Sequence, residues 1–170
     1  MHEPHKHEPR KQYNRDRADS VIHREPLYAL GRGGPMHYPV RIMEGRYKQV
    51  VALQNINEPK NHDGKQPMNK EFLGYGDVHL HDFHIGAGQS FTEHGVEKLV
   101  KASEILADAV ERDIPTAITC DAGNKRTARA LYLTYRRLGA THEEAARTDG
   151  LPASEAERLK EIYEKHIAKK

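Results

Sequence analysis

The chain holds one cysteine, no tryptophan and three phenylalanines in 170 residues. A single cysteine excludes an intramolecular disulfide, so a hydrophobic core must hold the fold. Residues 1–20 carry almost no apolar side chains and do not read as a secretory signal, so a reducing, cytoplasmic setting is expected. No run approaches the roughly 18 apolar residues of a membrane-spanning helix. Neither charge sign dominates: 27 Lys+Arg face 25 Asp+Glu, a formal net charge of +2. That balance argues against nucleic acid as a partner and leaves room for a local basic pocket only. What is present, 36% hydrophobic residues, suffices for one domain with a real core.

Residues 1–20, with His2, His5 and His7 among Pro, Glu, Lys and Arg, read as a flexible, solvated arm. Residues 21–170 read as one domain. Leu27–Leu30 predicts a short strand, and Tyr38–Glu44 a short helix stopped by Gly45. Gln49-Val50-Val51-Ala52-Leu53 reads as a buried strand. Asn55–Gly76, rich in Asn, Pro, Lys and Gly, reads as a long surface loop. Val78-His79-Leu80 is the next strand, ending at His81 and Asp82. Ser90 and Glu93 have capping-box spacing, and Val96, Leu99, Val100, Ser103, Leu106, Ala107 and Val110 then recur at helical spacing. Pro115–Thr119 reads as a strand. A helix over Arg126–Leu138 ends at Gly139, and Thr141 and Ser154 are placed to cap two more. Strands alternating with helices predict an α/β fold with a central, mostly parallel sheet flanked by helices. In such sheets, sites lie at the carboxyl ends of strands. Asp82 and Cys120 both fall there.

The chemistry concentrates in Thr119-Cys120-Asp121-Ala122-Gly123-Asn124-Lys125-Arg126-Thr127. Five residues separate Cys120 from Arg126, and the segment runs from a buried strand into a helix N-terminus. Backbone N–H groups of Asp121, Ala122, Gly123, Asn124, Lys125 and Arg126 can curl around one anion, aided by the helix dipole. Gly123 permits the curl, and Arg126 brings a planar fork that fits two phosphate oxygens. The same positive field favours thiolate over thiol at Cys120, making it an activated nucleophile. Thr127 is placed to donate its hydroxyl to the sulfur.

This arrangement resembles the protein tyrosine phosphatase superfamily, whose signature is Cys-x5-Arg followed by Ser or Thr, and its dual-specificity branch in particular. Beyond the loop, Lys48–Gln54 is similar to the family's early core strand, Val78–Phe83 to the segment that delivers the general acid, and Arg126–Gly139 to the helix after the signature. The chain departs from the pattern at Thr119, where the family carries His. The resemblance implies a dual-specificity-phosphatase-like catalytic domain over residues 21–170, with the phosphate loop between a strand and a helix N-terminus. It implies a phosphorylated substrate, a cysteinyl-phosphate intermediate, inorganic phosphate as product, and neither metal nor other cofactor. The leaving oxygen needs a proton, and the family supplies it from an Asp some 30 to 40 residues before the cysteine. Asp82, 38 residues upstream (120 − 82), fits that spacing, with Asp121 as runner-up.

Other readings stay open. Lys125 suits a multiply phosphorylated ligand such as an inositol phosphate or phosphoinositide, or simply faces solvent. Thr119 and the unsettled acid leave room for a catalytically weak, phosphate-binding pseudophosphatase. His79, His81 and His84 surround Asp82, but the bend before His84 argues against a shared metal.

Overall fold

The computed structural model describes residues 27–30, 47–53, 79–86, 88–120, 125–148 and 150–168. The expected arm over residues 1–20, the Tyr38–Glu44 helix, the Asn55–Gly76 loop and phosphate-loop residues Asp121 to Asn124 lie outside them.

Among the described residues four short strands form one sheet: β1 (Leu27–Leu30), β2 (Gln49–Ala52), β3 (His79–Asp82) and β4 (Thr116–Thr119). Their order is β1-β4-β2-β3, and all three pairings are parallel, as the sequence predicts. β4 is interior and buried at every position, which explains its continuous short apolar and β-branched run. β3 lies at the edge, with His79 and Asp82 exposed.

Among the described residues four helices follow: α1 (Glu93–Arg112), α2 (Lys125–Arg137), α3 (His142–Ala145) and α4 (Ala153–His166). On α1, Leu99, Ala102, Ser103, Leu106, Ala109 and Val110 face inward, at the spacing of one helical face. α1 packs against α2, which also contacts α3 and α4. The shared core joins Leu99, Leu106 and Val110 of α1 to Val51, Leu53, Ile118 and Cys120, and to Leu131, Tyr132 and Tyr135 of α2. α2 stops as expected near Gly139, whose φ of 103° suits a residue without Cβ. Among the described residues, no helix is long and apolar enough to cross a membrane.

Two expected caps are corrected. α1 is capped by Thr92, whose hydroxyl accepts from the Gly95 N–H at 3.1 Å. Ser90 lies too early, and its hydroxyl is taken by Arg129. α4 starts after Pro152, with no side-chain cap, so Ser154 sits inside the first turn. Pro152 sets that start instead, because it offers no N–H and disfavours a helical backbone at Leu151. The cap at Thr141 is as expected, with a full capping box to Glu144. β3 ends at Asp82, as expected, with His81 and Asp82 both paired to β2.

Candidate functional site

Cys120 directly follows β4 and is only 2% exposed. Its position follows from the strand, since Ile118 and Cys120 share the face that packs into the helical core. Five residues later the chain is helical, so α2 begins with its N-terminus at the carboxyl end of β4. Thr127, fully buried in the first turn, donates its hydroxyl to Cys120 Sγ at 3.1 Å. The structure thus brings together Cys120 and Thr127, two residues singled out in the sequence.

Arg126, the second residue of α2, is half-buried. Its Nη1 donates to the Ile85 carbonyl at 2.6 Å. This contact draws the loop after β3 to the head of α2. Lys98 of α1 donates to the neighbouring His84 carbonyl at 3.1 Å, and His84 has a φ of 49°. A left-handed backbone at a non-glycine residue is costly and must be maintained by its surroundings. The two cation contacts on consecutive carbonyls do so.

Asp82 lies at the carboxyl end of β3 and is exposed. Its register partner is Ala52, whose other partner is Thr119. Two strand spacings, about 10 Å in all, therefore separate Asp82 from Thr119 across the sheet. The backbone climbs further beyond it: the Phe83 N–H bonds Ala52 O at 2.9 Å and the Ile85 N–H bonds Leu53 O at 2.7 Å. Asp82 is thus one step below the rim where Ile85 meets Arg126.

Lys125 opens α2 and is exposed. His79 and His81 share one face of β3, with ring centroids 4.5 Å apart. The His81 Nε2–H donates to Gln49 Oε1 at 2.9 Å, and Gln49 Nε2 donates to Thr116 Oγ1 at 2.9 Å. Burial, and then the neighbouring His79, push the pKa of His81 below its ordinary value.

Sequence reasoning missed Arg129. It is 9% exposed, and its Nη1 donates to Ser90 Oγ at 2.8 Å. Its Nε and Nη2 grip the Glu155 carboxylate at 2.8 and 3.0 Å. These hydrogen bonds hold the Glu155 carboxyl below its ordinary pKa, against the opposing effect of burial. The one available signal was an arginine amid the apolar run of α2. Its partners, 39 and 26 residues away, follow no local spacing rule.

The sequence matches no protein-family model, and no curated protein matches it. Solved structures do match. P. aeruginosa TpbA in complex with pTyr is 17% identical, with a TM-score of 0.57, over 90% of this chain and 87% of that one. PTPMT1 is 15% identical, with a TM-score of 0.59, over 84% of this chain and 92% of that one. The core catalytic domain of the PP-IP phosphatase SIW14 from S. cerevisiae is 17% identical, with a TM-score of 0.57, over 85% of each chain. A parallel sheet flanked by helices, with Cys120 at the end of its central strand, gives this chain the fold of the protein tyrosine and dual-specificity phosphatases.

Proposed function

We propose that the chain is a cysteine-dependent phosphomonoester hydrolase of the protein-tyrosine or dual-specificity type. The observation that carries this reading is the Thr127 hydroxyl at 3.1 Å from Cys120 Sγ, with Arg126 adjacent at the N-terminus of α2. In the proposed reaction Arg126 and the N–H groups of Asp121 to Arg126 hold the phosphoryl group. Cys120 Sγ attacks phosphorus, forming the S–P bond as the P–O bond to the leaving group breaks. Asp82 gives its proton to the leaving oxygen. Water then attacks the cysteinyl phosphate, Asp82 takes the water's proton, and the thiolate leaves with Thr127 stabilising it. Inorganic phosphate is released. The substrate is a phosphoprotein or a small phosphate ester. Exposed Lys125 beside the cradle supports the variant of this reading in which an inositol phosphate or phosphoinositide binds.

The placement of Asp82 below the rim, together with Thr119 in front of Cys120, favours a second reading: a phosphate-binding pseudophosphatase. One experiment separates them. Hydrolysis of p-nitrophenyl phosphate is measured with EDTA present for the wild type, Cys120→Ser and Asp82→Asn. The enzyme reading expects loss of about 10⁴-fold or more in Cys120→Ser. It expects a loss of about 10²-fold or more in Asp82→Asn if that carboxyl is the acid. Turnover undiminished in Cys120→Ser would sink the cysteine mechanism, and phosphate binding without turnover would establish the second reading.

A further inference from the structure

Arg126 and Arg129 stand three residues apart on α2, close to one face of the helix. They hold the two ends of one loop. Arg126 takes the Ile85 carbonyl at 2.6 Å, and Arg129 takes the Ser90 hydroxyl at 2.8 Å. α1 presses on the same loop, since Gly95 lies so close to the Gln89 carbonyl that a Cβ would overlap it. Just past Ser90, the Phe91 ring has Arg129 at 5.2 Å and Arg158 of α4 at 3.9 Å.

We propose that Arg129 is a positioning residue for the site, fixing the exit of the Ile85–Ser90 loop at a set distance from the phosphate-binding Arg126, with Glu155 of α4 as its brace. The inference rests on the phosphatase reading. Burying a guanidinium is costly unless its donors are matched, and here three N–H groups serve two separate chain segments. The planar fork makes the arrangement directional. With two nitrogens committed to Glu155, the third can point in only one direction, and Ser90 lies along it. A lysine in its place keeps the charge and loses that direction. The loop meets Arg126 at the head of α2 and continues from the segment that carries Asp82. A shift of about 1 Å in such a site-bordering segment costs on the order of 10²-fold in rate.

The test compares the wild type, Arg129→Lys, Ser90→Ala and Glu155→Gln with p-nitrophenyl phosphate and phenyl phosphate, using Cys120→Ser as the control. Arg129→Lys is expected to lower kcat about 10- to 100-fold while KM stays within about threefold. The loss should be larger for phenyl phosphate, whose leaving group depends more on a well-placed proton. Ser90→Ala removes a single hydroxyl and should show the same pattern more mildly; it carries the test if Arg129→Lys does not fold. Wild-type kcat and an unchanged ratio between the two substrates would overturn the proposal. So would an equal loss on both substrates that tracks the melting temperature, since that marks a structural brace alone. Absence of any Cys120-dependent turnover in the wild type would instead remove the phosphatase reading, and this inference with it.

Discussion

The two walls of the site are built differently. The β4–α2 wall is interior: β4 is buried throughout, and Thr127 to Tyr135 are buried without a break. The β3 wall sits at the sheet edge, with His79, Asp82 and His84 exposed. Close packing fixes Cys120 and Thr127 collectively, because no one of their neighbours can shift alone. The opposite wall has one core anchor, Ile85, which is 1% exposed; on either side of it, discrete contacts from other elements hold the chain: Lys98 on His84, Arg126 on Ile85, and Arg129 on Ser90. Cys120, set in the core, tolerates little displacement, whereas the ends of the facing loop also depend on polar contacts that single substitutions can release.

Arg126 bridges the two walls, so among the changes that test this comparison, altering it should have the largest effect. Arg126→Lys keeps a charge but loses the planar fork proposed to hold phosphate. It should lower kcat/KM for p-nitrophenyl phosphate on the order of 10²- to 10³-fold. A value near wild type would mean that the core-built wall binds phosphate without it. Gly95→Ala tests how tightly the facing loop is pressed. The added methyl meets the Gln89 backbone, and a loss of about 1–3 kcal/mol is expected in urea unfolding. An unchanged midpoint would show the loop to be looser than its contacts imply.

The smallest expected effect lies at the outer edge. The folded-state pKa of His81 is held down, so the unfolded chain binds more protons as the pH drops. The contribution of His81 is therefore complete above its ordinary value of 6.5 and is lost as the pH falls through the lower folded value. Urea midpoints compared at pH 7.5 and 5 should fall less for His81→Gln than for the wild type. Equal falls would move the source of acid sensitivity away from β3.

The sequence was most legible where local pattern and burial coincide. The apolar run of β4, the helical spacing on α1, and the places of Cys120 after β4 and of Thr127 on α2 each carry their own rule, and the fold follows from their alternation. Caps were less legible. Ser90, Thr92 and Ser154 all have cap chemistry, and the choice among them depends on where each helix packs. Ser90 has the capping-box spacing but serves Arg129 instead. The facing loop was the least legible part. A carbonyl such as that of Ile85 has no side-chain signature, and nothing near Arg129 in sequence points to Ser90 or Glu155.

The sequence by itself determined the resemblance to the phosphatases, the parallel α/β architecture and the place of Cys120 between a strand and a helix. All of these rest on short-range order along the chain. Tertiary structure alone decided how high Asp82 stands beside the rim and which cations hold the loop. Register across β2 and contacts spanning 26 to 41 residues exist only once the strands pair and the helices pack.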